Sequence, residues 1–167
     1  ADFERRTLLD DSAYSAILKK EGEIRPYMDP VLRSSWKHYA DFLRRLKKGS
    51  MVEWSLTRAE SVGVFFVKKK DGRLRLIIDA RRVNQRCRRP PKTVLGSASA
   101  LTEIEVDSGE EFCFATADIK DCFYHFLLPP DLREYFGLPG IPARLLGIQK
   151  IGDQRVEPNT LVYPLLT

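Results

Sequence analysis

The chain has 167 residues and a net charge of +5, with 43% hydrophobic, 31% charged and 10% aromatic residues. That is the size of one domain, or of a piece of a larger one, with enough apolar content for a core. No apolar run approaches the roughly 20 residues of a membrane span, so a soluble protein with no membrane partner is expected. Residues 1–6 are charged and do not read as a signal peptide. The absent initial Met points to an internal fragment. Cys87, Cys113 and Cys122 have no paired spacing, and only His38 and His125 accompany them. Buried free thiols in a reducing compartment are expected rather than a zinc site.

In chain order, residues 10–20 predict a short helix ended by Gly22. A clearer helix comes next: Asp29 can cap it, Pro30 suits its first position and Gly49 stands just past its end. Leu32, Trp36, Tyr39, Leu43 and Leu46 form one apolar stripe along it. Arg44, Arg45, Lys47 and Lys48 sit at its carboxyl end, where the helix dipole favours cations. The texture then changes. Residues 62–70 and 74–79 predict two strands, with Asp71-Gly72 as a type I′ hairpin turn. Pro90-Pro91 breaks the chain, and Ser97 can cap a short helix to about residue 105. Residues 112–118 predict an apolar strand, and Pro129-Pro130 ends the segment that starts at Phe123. Strands near 144–151 and 160–163, joined by a turn at Gly152-Asp153, complete the pattern. Helices first and strands later predict an α+β arrangement.

Charge is unevenly placed. Between Lys68 and Lys92 lie 11 basic residues opposed only by Asp71 and Asp79, a local net charge of +9 that leaves −4 for the rest. Such confinement is the footprint of a polyanion, nucleic acid or a triphosphate, although a solvated basic surface gives the same composition. A basic two-stranded ribbon can close over a nucleotide, since Arg grips phosphate oxygens with two parallel hydrogen bonds.

The whole pattern from Val62 to Asn84 resembles the fingers of reverse transcriptases. There, an apolar strand ends in lysines, a short turn comes after it, and an Arg precedes an aliphatic stretch, an Asp, a basic residue and an Asn. By that resemblance Lys69 and Arg75 match the family's triphosphate-binding pair, while Asp79, Arg81 and Asn84 match the motif after the hairpin. Ala80 departs from it, standing where many members have an aromatic. A second segment, 112–129, resembles the family's first palm motif: an Asp, an aromatic five residues later, and an amphipathic strand ending in Pro. Asp118 then matches the catalytic, metal-binding carboxylate, and Ile119 the residue whose backbone carbonyl also reaches the metal. Asp121 and Cys122 fall where backbone amides meet the triphosphate, and Phe123 at the aromatic that excludes a ribose 2′-hydroxyl. RNA-templated RNA polymerases usually place a second Asp four or five residues after the first. Cys122 and Phe123 occupy those positions here.

The resemblance implies an RNA-directed DNA polymerase of retrotransposon or retroviral type, intracellular in cytoplasm or nucleus. It implies two Mg²⁺ or Mn²⁺ ions in the complete enzyme, and an RNA or DNA template-primer and a dNTP as partners. It also implies a fold of N-terminal helices (1–50), fingers with the basic hairpin (51–108) and part of a ferredoxin-like palm sheet (109–167). The family's other aspartates come from a Tyr-x-Asp-Asp hairpin, which this sequence does not contain. The fragment is therefore expected to be inactive alone. A non-catalytic nucleic-acid-binding remnant is the alternative.

Overall fold

The computed structural model describes residues 6–93, 98–105, 107, 109, 111, 113, 115–120 and 122–167, and it is of the α+β class with small antiparallel sheets. Two compact units divide the chain: residues 1–88 with 127–167, and residues 89–126. The first division falls beside Pro90-Pro91. Among the described residues no helix is long and apolar enough to cross a membrane.

In the larger unit, α1 (Asp11–Glu21) starts where Asp10 accepts a hydrogen bond from the Ala13 amide at 2.9 Å. It stops at Gly22, whose φ of 78° lies in the left-handed region that glycine enters without a Cβ clash. The single long helix expected next is two. Asp29 caps α2 (Pro30–Ser34), and Ser35, at φ −135° and ψ 109°, breaks the run and caps α3 (Trp36–Lys48) through the His38 amide. The break turns Trp36 out of the apolar stripe: it is 53% exposed, while Leu32, Tyr39, Leu43 and Leu46 are buried. Gly49 comes after α3 as expected, yet the positive φ falls on Ser50, at 56°.

A three-stranded sheet carries the core. β1 (Val52–Ser55) and β4 (Ile141–Pro142) flank β7 (Leu161–Leu166), all antiparallel, with Val52 opposite Leu166 and Ile141 opposite Val162. β1 and β7 are more than a hundred residues apart in sequence, and their pairing closes the larger unit. Leu138, Ile141, Val52 and Val162 from this sheet region pack with Leu43, Tyr39 and Val83. The basic ribbon is β2 (Gly63–Lys68) paired with β3 (Leu74–Asp79), and α4 (Arg81–Arg86) comes directly after it. The C-terminal strand expected at 160–163 is the longer β7. The turn at Gly152-Asp153 instead joins two short strands, β5 (Lys150–Ile151) and β6 (Gln154–Arg155), after a 3₁₀ turn at Ala143–Leu145. A further 3₁₀ helix, Pro130–Phe136, begins at the proline pair.

In the smaller unit the described residues form α5 (Ala98–Leu101) and a 3₁₀ turn, Cys122–His125. The strand expected over 112–118 is not formed by its described residues: 113 and 115–118 are extended or irregular, exposed and unpaired with any strand. A short apolar run bounded by Gly109 and the Lys120 turn reads as a strand only if a neighbour supplies ladder hydrogen bonds. The cysteines are free, but not buried as expected: Cys87 and Cys122 are half-buried and Cys113 is exposed. Burial pushes the Cys87 thiol's pKa up, which disfavours its reactive thiolate.

Candidate functional site

The hairpin is founded on two close contacts at its base. The irregular chain after Gly22 crosses β2 there, with the Asp29 amide donating to the Val64 carbonyl at 2.7 Å. A Cβ on Gly63 would stand 1.9 Å from the Tyr27 carbonyl oxygen, so only glycine lets the two backbones meet. On the paired strand, Asp79 is buried and accepts from the Tyr27 amide at 2.7 Å and from Arg81 Nε and Nη2 at 2.8 and 2.7 Å. The Arg81 guanidinium holds the Asp79 carboxyl well below the usual carboxylate range, with the Tyr27 and Arg81 amides adding to it and burial opposing. Asp79 is thus a structural anchor that ties α4, the ribbon and residue 27 together. Val62 donates to Gly137, which bridges to Leu165 of β7, so the base is also tied to the sheet.

At the tip the turn differs from the expected type I′. Gly72 donates to the Lys69 carbonyl at 3.0 Å and Lys69 to the Arg73 carbonyl at 2.7 Å, while Gly72 alone takes positive φ, 83°. This is a three-residue loop over Lys70, Asp71 and Gly72, a turn ending in a glycine bulge, which needs one left-handed residue rather than two. Arg73 folds back on Asp71, its Nε 2.8 Å from Oδ2, and lowers the pKa of that carboxyl.

Alternation along the ladder then sorts the cations. Val67 faces Arg75 and Phe65 faces Ile77, so Lys69, Val67, Phe65, Arg75 and Ile77 share one face. Val64, Phe66 and Leu76 share the other, where Phe66 meets Phe42 edge-to-face at 5.8 Å. The structure brings the two predicted phosphate-binding residues, Lys69 and Arg75, to the same face of the ribbon. Arg75 is exposed and Lys69 half-buried. At the base of the ribbon Tyr27, Phe65 and Ile77, with Ile78, Asp79 and Arg81, line an open depression of about 390 Å³. Phe65 and Tyr27 meet there edge-to-face with centroids 5.4 Å apart. The depression is mostly apolar, and neither Lys69 nor Arg75 lines it; Arg81, the cation at its edge, is paired with Asp79.

The basic segment is less free than its composition implies. Arg81 is paired with Asp79, Arg82 with Glu60 and Glu23, and Arg86 with Asp11, at 2.7 Å for the first and last. Glu60 is buried and also accepts from the Tyr14 hydroxyl at 3.0 Å, and Arg86 lies over the rings of Tyr14 and Tyr135 at 4.8 and 5.3 Å. These arginines bind α1 and α4 to the core. They are scaffold cations; Arg81 finds its partner two residues away, but no local pattern announces the role of Arg82 and Arg86, whose partners lie 22 to 75 residues away. Tyr27 was equally silent, since Asp79 fixes it from 52 residues on. Phe65 was the legible one, being on Arg75's face by alternation alone.

In the smaller unit Asp118 and Ile119 lie in irregular, exposed chain, and Cys122 opens the 3₁₀ turn. Asp121 lies outside the described residues, as does the side chain of Phe123 within that turn. Among the described residues no three His, Cys, Asp or Glu side chains stand together as a metal-holding group. Asp118 supplies one carboxylate, and two divalent ions require carboxylates from more than one element. No protein-family model, curated protein or solved structure matches this chain.

Proposed function

We propose that this chain forms the fingers and the first palm motif of an RNA-directed DNA polymerase of the retrotransposon or retroviral kind. The observation that carries the reading is the ribbon: Lys69 and Arg75 on one face, on a base pinned by Asp79 and Gly63. The order of motifs in the sequence supports it, with Asp118 after the ribbon and Phe123 five residues later. Arg75 binds phosphate oxygens of the incoming dNTP through paired hydrogen bonds, and Lys69 adds a point charge. Asp118 and the Ile119 carbonyl offer oxygen ligands to Mg²⁺, and Asp121 and Cys122 offer backbone amides to the triphosphate. The metal ions, when bound, supply activation of the primer 3′-oxygen and charge stabilisation at the leaving pyrophosphate. Phe123 excludes the 2′-hydroxyl of a ribonucleotide. The complete site takes its remaining carboxylates from a Tyr-x-Asp-Asp hairpin outside this sequence. RNA or DNA template-primer and dNTP are the partners, in the cytoplasm or nucleus.

Titration of the chain with a Mg²⁺–dNTP complex tests the phosphate site. Losing one charge-assisted contact is worth about 1.5–3 kcal/mol, so Arg75→Ala weakens binding roughly 10- to 100-fold. Binding that Arg75→Ala and Lys69→Ala leave unchanged contradicts the assignment.

A further inference from the structure

We infer that the solvent face of α3 is a second polyanion surface on this chain, which takes the sugar–phosphate backbone of nucleic acid. The helix carries Lys37, Arg44, Arg45, Lys47 and Lys48 against one carboxylate, Asp41, and all six are exposed. Arg44 is occupied, donating to Asp41 at 2.7 Å and to the Leu145 carbonyl at 2.6 Å. Lys37 and Lys48, eleven residues apart, fall on one line of the helix, with Arg45 beside them. At about 1.5 Å rise per residue they span roughly 16 Å, the axial length of about five nucleotides at ~3.4 Å each.

The surface is distinct from the ribbon. Phe66 of the ribbon meets Phe42 on the far side of α3 from Lys37 and Lys48, so a ligand on either face leaves the other open. The chemistry of the helix selects the partner. A helix that binds anionic membrane inserts its apolar side, and here Tyr39, Ala40, Leu43 and Leu46 are already buried in the core. What remains outside along the line of Lys37 and Lys48 is charged side chains, which suits a phosphate backbone rather than an acyl layer. The α3 face needs only a nucleic-acid ligand, so it does not depend on the polymerase reading.

Fluorescence anisotropy of the whole chain with a labelled 20-base-pair duplex, over a series of salt concentrations, is the test. Lys37→Gln/Arg45→Gln/Lys48→Gln keeps good helix formers on the face and removes three cations. The slope of log K against log salt then falls by about 2–3, and the Kd at low salt rises at least about tenfold. Asp41→Asn acts in the opposite direction. It removes the face's one carboxylate while Arg44 keeps its bond to the Leu145 carbonyl, and it tightens binding by about threefold, roughly one unit of charge. Far-UV circular dichroism of both variants, unchanged from the parent chain, shows that the fold is kept, so the two together decide. Unchanged slopes in both variants overturn the proposal. So does competition by polyglutamate as effective as that by unlabelled duplex, or tighter binding to phosphatidylserine vesicles than to duplex. Arg75→Ala in the same titration leaves the α3 contribution to the slope intact. Loss of dNTP binding without loss of that contribution bears on the ribbon alone.

Discussion

Asp79→Asn removes a charge while keeping the side chain's shape, and the structure sets its cost. Oδ2 accepts from the Tyr27 amide and Arg81 Nη2, and Oδ1 from Arg81 Nε and, at 3.3 Å, its amide. Every neighbour is a donor, so the asparagine NH₂ faces a donor whichever way the amide turns. A buried donor is left unpaired and the bonds that survive lose their charge, a loss of about 1.5–3 kcal/mol. Arg81 is 62% exposed, so its ion pair adds only about 0–1 kcal/mol. A total near 2–3 kcal/mol predicts hydrogen exchange at the Tyr27 amide about 30- to 150-fold faster in the variant, since about 1.4 kcal/mol is tenfold. Exchange tracked by NMR reads this amide directly, and urea melts report the accompanying loss of stability. The sign with pH is fixed by the depressed folded pKa. The stabilisation is present above the unfolded carboxylate value of about 4 and is lost as pH falls below it. The gap between wild type and variant therefore starts to narrow at about pH 5 and keeps narrowing below about pH 3, toward the depressed folded value. Unaltered Tyr27 exchange, or a stability gap that stays constant over that range, refutes the anchoring role.

Gly63→Ala forces a Cβ into the Tyr27 carbonyl, a backbone atom that cannot rotate away, and lowers stability by about 1–3 kcal/mol or more in a thermal melt; an unchanged Tm counts against the docking of residues 24–29. Ser50→Gly relieves a left-handed residue at the end of α3 and raises Tm by about 2 °C, from a gain of up to ~1 kcal/mol. In a polypeptide that includes the downstream aspartate hairpin, Phe123→Val raises ribonucleotide use relative to deoxyribonucleotide use, read as kcat/KM for a matched pair. An equal fall in both assigns Phe123 to packing instead.

Local signals carried much of the fold. Asp10 and Gly22 bounded α1, Asp29-Pro30 opened α2, and two apolar runs about Asp71-Gly72 marked the ribbon's strands. Where the sequence misled, a neighbour or a competing local bond decided. Ser35 reads as one more polar position on a helix, yet its hydroxyl caps a new one. β1 is four residues long and is made a strand by β7, a partner that its own residues do not signal. The aspartate at 118 sits after a run of strand-forming residues that finds no partner among the described ones. The +9 segment overstated the cationic surface because Arg81, Arg82 and Arg86 answer Asp79, Glu60, Glu23 and Asp11.

The most direct test of the polymerase reading is primer extension on an RNA template with dNTPs and Mg²⁺. It compares this chain with a polypeptide that continues through a Tyr-x-Asp-Asp hairpin. The longer polypeptide extends the primer. Arg75→Ala lowers its kcat/KM by about 10- to 100-fold, the loss of one charge-assisted contact, and Asp118→Asn abolishes extension. This chain by itself gives no product. Extension that survives Asp118→Asn, or steady template-dependent extension by this chain alone that disappears in Asp118→Ala, contradicts the account.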